Sequence, residues 1–283
     1  MSISSSAVLV RQSISTWTAN KLDKRQTNQV LANNNATGNA AQVRKNLMVG
    51  TRAAKDIFDY AGACRLSHHT FTLPWEDRGS RLLPTSLVMQ YKQDANFRRQ
   101  KFDLMVDKFI AHYPEHIQTS RNYLGGLFNS DDYPCIDELR SKYEYRLVWT
   151  PIADSGHFYL DIPARDLDEM KQSLTVENDE RLKNAMGSAW DRLHKTLTTM
   201  SEKLVEPEGE DKKRWHDTFV TNAHDLCKIL SHLNVTGDPE LERARKSLET
   251  AMVGVDIEDL KGSPLARMQT KSKVDSILSQ FDW

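Results

Sequence analysis

E-R-L-K-N-A-M-G-S-A-W-D-R-L-H-K-T-L-T-T-M-S-E-K-L, residues 180–204, is the stretch whose reading decides the fold. Leu182, Met186, Ala189, Leu193, Leu197, Met200 and Leu204 succeed one another at steps of four, three, four, four, three and four. That period lays all of them along one helical face. Extended back to Asp166, it predicts a helix of about forty residues, roughly 60 Å long at the standard rise. Pro207 and Gly209 end it. A second stripe, Trp215, Phe219, Ala223, Leu226, Leu230 and Leu233, fills residues 211–233. Two such helices across a short proline-glycine turn fold back as an antiparallel hairpin. N-V-T-G-D-P then stops the chain, with Asp238 as cap of a helix containing Leu241, Leu248 and Met252.

Upstream, Val43, Leu47, Ala54, Ile57, Phe58 and Ala61 predict a helix over 42–63. Pro84-Thr85-Ser86 opens another, with the stripe Leu87, Tyr91, Ala95, Phe102, Met105, Phe109 and Tyr113, broken by Arg98. Pro114 and Gly125-Gly126 interrupt the chain beyond this helix. The Asn-rich stretch 31–41 reads as a flexible turn or connector, and the first twenty residues fit a short strand or a helix start. At Tyr143 the period drops to two: Tyr143, Tyr145, Leu147 and Trp149, then A-D-S-G, then Phe158, Leu160 and Ile162. This predicts a β-hairpin over 143–162. A lone two-stranded ribbon is marginal in water. It therefore packs on the helices, takes a third strand (the N-terminus being one source), or pairs with another subunit. The expected fold is mainly α, an α+β protein of long antiparallel helical hairpins with a small β-hairpin insertion. Its expected organisation is a helical region 1–142, the hairpin 143–162, a helical hairpin 163–260 and a tail 261–283.

Between two helical stretches the chain writes F-T-L-P-W-E-D-R-G-S-R-L-L-P, Phe71–Pro84. Pro74 fixes a bend, and Gly79 is expected to supply a backbone conformation closed to other residues. Trp75, Leu82 and Leu83 would tuck this connector onto the helices, with Glu76, Asp77 and Arg78 in solvent. The alternative is a docking loop that exposes Trp75, Arg78 and Arg81 to a partner, since Trp and Arg dominate interface energetics.

T-L-P-W-E-D-R-G-S-R-L-L-P resembles the central fingerprint of an uncharacterised, mostly phage-encoded family, domain of unknown function 3150. The resemblance continues in S-I-S-T-W-T-A-N-K-L-D-K (13–24), L-F-N-S-D-D-Y-P (127–134), the hairpin, and N-A-H-D-L-C (222–227), and spans residues 7–250. It implies a helical protein often encoded near a MoxR-type AAA+ ATPase and a von Willebrand A-domain protein. The ATPase is then the implied protein partner, and the cytoplasm of a phage-infected bacterium the implied location. The resemblance passes on no catalytic residue.

Composition narrows the chemistry. Thirty-eight Lys and Arg against thirty-nine Asp and Glu leave no overall field to recruit nucleic acid or anionic lipid. The balance is uneven: residues 1–60 carry eight basic against three acidic groups, and 161–180 two against seven. Cys64, Cys135 and Cys227 lie far apart and form no C-x-x-C pair, which fits a reducing cytoplasm. The N-terminal apolar run A-V-L-V is shorter than a secretory or membrane segment requires, so no membrane is expected. No phosphate-binding glycine loop or nucleophile elbow occurs, and no cofactor is expected.

His216-Asp217 and His224-Asp225 invite a metal phosphohydrolase reading, but residues eight apart drift about 80° around a helix, so they do not converge. His112 and His116 have chelating spacing with Pro114 between them. Arg98, Arg99 and Lys101, and separately Lys212, Lys213 and Arg214, could contact phosphates; acids near each cluster equally make them solvated helix faces. The tail K-V-D-S-I-L-S-Q-F-D-W presents Phe281 and Trp283 as docking anchors, or as the end of a helix docked on its own body. The expected function is a non-enzymatic interaction, assembly or adaptor protein that forms homo-oligomers. The alternative is nucleic-acid binding in phage recombination or replication, with an HD-type metal phosphohydrolase third.

Overall fold

A computed structural model describes residues 3–77, 79–153, 163–205, 218–281 and 283. In chain order α1 (Ile3–Ser6) leads into β1 (Ala7–Ser15), β2 (Asn20–Leu22), α2 (Lys24–Asn33) and β3 (Arg44–Asn46). α3 (Ala53–Phe71) runs into two short strands, β4 (Leu73–Pro74) and β5 (Arg81–Pro84). A 3-10 turn at Thr85–Leu87 opens α4 (Val88–Ala111), succeeded by α5 (Tyr113–Leu124), α6 (Ile136–Ser141) and β6 (Glu144–Thr150). The remainder is α7 (Ala164–Lys203), α8 (Thr218–Leu233), α9 (Pro239–Ala251), α10 (Ile257–Gly262) and α11 (Pro264–Gln280). The sheet order is β4-β5-β1-β6, with β2-β3 as a separate ribbon. The protein is thus mainly α with a small antiparallel sheet, as its periodicity predicts. Among the described residues no helix is long and apolar enough to cross a membrane.

The chain divides into two compact units that do not follow contiguous boundaries. One gathers residues 1–11, 69–91 and 148–283, and the other 12–68 and 92–147. The expected divisions at 142, 162 and 260 therefore do not match the units.

In the first unit α7 is forty residues long, and Met186, Ala189, Leu193, Leu197 and Met200 of its stripe are buried. It packs on α8 and α11, while α9 packs on both α8 and α11. Asp238 caps α9 through Oδ1, which accepts from the Glu240 and Leu241 amides. The tail is no separate appendage: Val274, Ile277 and Phe281 are buried. Arg243 lies over the Phe281 ring at 5.2 Å, and Trp283 packs edge-on against Trp190.

In the same unit the connector is sheet as well as packing. Ala7–Val10 of β1 pairs antiparallel with Arg81–Pro84, and Leu73 and Pro74 pair with Leu82 and Arg81. Pro74 sits on the edge strand, where a missing N–H costs no ladder bond. Leu73, Leu82 and Leu83 have no exposed surface and Trp75 only 5%. At Gly79 a Cβ would stand 1.9 Å from the Glu76 carboxylate. That carboxylate accepts from the Ser80 amide and closes the turn.

In the second unit the core is built from Ile14, Met48, Ile57, Cys64, Phe102, Phe109, Tyr113, Leu139 and Tyr145. The helix predicted from residue 42 starts only at Ala53. Before it, Arg44–Asn46 pairs with Asn20–Leu22, and Gly50 turns the chain at φ 83°. The first residues of the Asn-rich connector close α2, which the polar sequence concealed; Asp23 caps that helix by accepting from the Gln26 amide. Lys45, 9% exposed, joins residues 13–24 to residues 127–134. Its ammonium lies 2.5 Å from Asp132, 3.5 Å from Asp23, and donates to the Leu127 carbonyl. The first strand of the predicted hairpin is β6; its partner, 154–162, lies outside the described residues.

Candidate functional site

The last carbonyls of α3 and the first residue beyond it gather two arginines distant in sequence. The final C=O groups of a helix lack intrahelical partners and carry the negative end of its dipole. β5 starts with Arg81, placed by the Pro74 register, and its Nε donates to Thr72 Oγ1 at 2.7 Å while Nη2 donates to Thr72 O at 3.2 Å. From α7, which packs on β4, Arg192 donates through Nη1 to Thr70 O at 3.1 Å. Its Nη2 reaches His69 O at 2.9 Å and Thr72 O at 2.5 Å. Both Nη2 atoms thus meet on one buried carbonyl oxygen.

No carboxylate among the described residues pairs with either guanidinium. Burial first, and then the Arg81 charge, pull Arg192 down to about 10. Burial also lowers Arg81. His69, beside them, is lowered by burial and then by both arginine charges. Each shift has one sense: the site penalises further positive charge. Both arginines remain half-buried, so solvent and solutes reach them. The arrangement can orient and neutralise an anion.

Of the docking candidates, Arg81 belongs to this site. Trp75 and Phe281 are buried in the first unit's core and do not serve as exposed anchors. Their apolar area satisfies their own unit, which the pattern of breakers and stripes left open. Trp283 is 38% exposed, and its Nε1 donates to Leu278 O. Arg78 lies outside the described residues, as do Lys212, Lys213, Arg214, His216 and Asp217. In the second unit Arg98 pairs with Asp94 at 2.7 Å, Arg99 with Asp103 at 3.8 Å, and Lys101 lies over the Tyr60 ring. Each of these cations is thereby engaged within the chain.

Among the described residues no three His, Cys, Asp or Glu stand together as metal ligands. His116 stacks on Phe109, 6.5 Å from the His112 ring, and His232 Nδ1 lies 3.1 Å from Ser86 Oγ. Arg192 was missed by sequence reasoning. Its signal is its place about 60° from Ala189, on the margin of the α7 stripe, where a long basic side chain leaves solvent. No family model, curated protein or solved structure matches the chain.

Proposed function

We propose that the protein is a non-enzymatic interaction or assembly protein, an adaptor that self-associates and docks an anionic group of a protein partner on the β4–β5 hairpin. One observation carries this reading: two half-buried guanidiniums share the Thr72 carbonyl with no acid of the described chain beside them. Arg245 by contrast receives Glu242 and Glu249, and half-buried Arg65 rests singly on the Ile14 carbonyl, whereas here two guanidiniums share one oxygen. The partner implied by the family resemblance is a MoxR-type AAA+ ATPase, in the cytoplasm of a phage-infected bacterium.

Light scattering on the purified chain, alone and mixed with an ATPase encoded beside it, tests the reading. The expected result is an oligomer that gains mass with the ATPase, and loses that gain in Arg81→Met/Arg192→Met. A monomer that leaves the ATPase unbound would end the proposal, as would turnover of a substrate by the chain alone.

A further inference from the structure

We infer that the Arg81–Arg192 pair binds a phosphoryl dianion, either inorganic phosphate or the terminal phosphate of a monoester. The inference builds on the docking reading by naming the chemical group taken. Charge decides between this and a purely structural cap. A helix C-terminus offers about half a negative charge, whereas two guanidiniums bring two positive ones. The α3 carbonyls therefore leave more than one charge unbalanced. A monoanion would leave about half a positive charge and a dianion about half a negative one, so charge calls for an anion and the donor set selects which.

Donor number and geometry favour a phosphoryl group among anions. Each guanidinium carries five N–H groups. Arg81 directs one through Nε and one through Nη2 at Thr72, which leaves both Nη1 hydrogens and one on Nη2. Arg192 uses three on the carbonyls of His69, Thr70 and Thr72, which leaves Nε–H and one Nη1 hydrogen. A phosphoryl group offers three strongly accepting oxygens to such forked donors. Because the same carbonyls hold both side chains in place, little rotamer entropy remains to be lost on binding.

The test uses the full-length chain at constant ionic strength, titrated with inorganic phosphate, ethyl phosphate, dimethyl phosphate or chloride. Thermal unfolding and the NMR titration of His69 are the readouts. Phosphate and ethyl phosphate are expected to raise the melting temperature and to raise the apparent pKa of His69. Dimethyl phosphate, a monoanion, and chloride should do neither. Binding of phosphate but not ethyl phosphate would mark the free ion as the ligand. Arg192→Lys keeps the charge but loses the fork, so its affinity should fall about tenfold or more. Equal responses to phosphate and chloride in the unmodified chain, or unchanged affinity in a folded Arg192→Lys, would overturn the inference. A null result here together with intact ATPase capture would sink the phosphoryl assignment alone. Phosphate binding without capture would sink the adaptor reading and leave the site.

Discussion

Lys45→Met is the perturbation whose size the structure fixes best. The Lys45 side chain is 8% exposed, and those of Asp23 and Asp132 are 12% and 11% exposed. Removing the cation strands two carboxylates in one enclosure and frees the Leu127 carbonyl. Breaking a buried pair from one side costs about 3–5 kcal/mol, because the remaining charge is left uncompensated. This is a large share of a typical folding stability of about 5–15 kcal/mol. Adding Asp132→Asn to Lys45→Met should recover part of the loss, so the double variant is less damaged than the sum of the singles.

The pH dependence has a definite sign. Desolvation works against the Lys45 ammonium, but the hydrogen bond and charge of Asp132, with Asp23, outweigh it and hold Lys45 above its ordinary 10.5. Its stabilising contribution is therefore complete below 10.5 and fades as pH rises through the folded value. Asp23 is held below its ordinary 3.8, first by the Gln26 amide and then, against desolvation, by Lys45. That contribution is present above 3.8 and lost as pH falls through the lowered value. Lys45→Met removes the lysine's part of the depression, so the gap between the variant and the parent protein should narrow on acidification below 3.8. Urea unfolding at pH 7 and pH 3, with slopes compared, measures both effects. A loss under about 1 kcal/mol at neutral pH, or a gap that does not shrink in acid, would refute the reasoning, since an exposed pair contributes no more than this.

Trp75→Ala should cost about 3–5 kcal/mol in chemical denaturation, so any loss of partner capture in that variant reports on folding rather than docking. Gly50→Ala imposes a side chain at φ 83°, 2.5 Å from the Tyr123 ring. That ring is 69% exposed and swings aside, leaving a conformational penalty of about 1–2 kcal/mol that a thermal melt resolves. Removing residues 274–283 strips buried Val274, Ile277 and Phe281 from the first unit, and the truncated chain should bind a hydrophobic dye and lose cooperative unfolding. Thiol titration should show Cys135, which is exposed, reacting in the native state. Cys64 and Cys227 are buried, with burial raising the Cys64 thiol and pushing that of Cys227 up to about 11, and should react only on denaturation.

Long periodic elements are legible because their signal repeats: α7 and α8 emerge from spacing alone, and the Asp238 cap from turn chemistry. Short elements are not. Leu47 and Val43 continue a helical spacing, yet Arg44–Asn46 is held by ribbon hydrogen bonds with Asn20–Leu22, a tertiary choice that no local period records. The connector Phe71–Pro84 is legible as a packed segment because prolines and large apolar residues coexist only where neighbours hold them. Its strand register is not, since that register depends on Ala7–Val10. Half of the candidate site shares this fate. Arg81 stands within the connector Phe71–Pro84, whereas Arg192 is 120 positions from the carbonyl it shares.

The treatment of other enclosed cations gives that carbonyl its meaning. Lys45 is set between two aspartates, Arg245 between two glutamates, and Arg98 on Asp94. Carboxylates are not the chain's universal answer, since half-buried Arg65 donates to the Ile14 carbonyl with no acid of the described residues paired to it. At Thr72 the chain brings two guanidiniums to one oxygen, accepts their mutual repulsion, and supplies no acid from the described residues. A methionine at 192 would remove the repulsion, at the cost of the three hydrogen bonds to His69, Thr70 and Thr72. Sites that break a local rule without a compensating gain in stability are where function is expected. The proposed phosphoryl ligand would supply the missing negative charge.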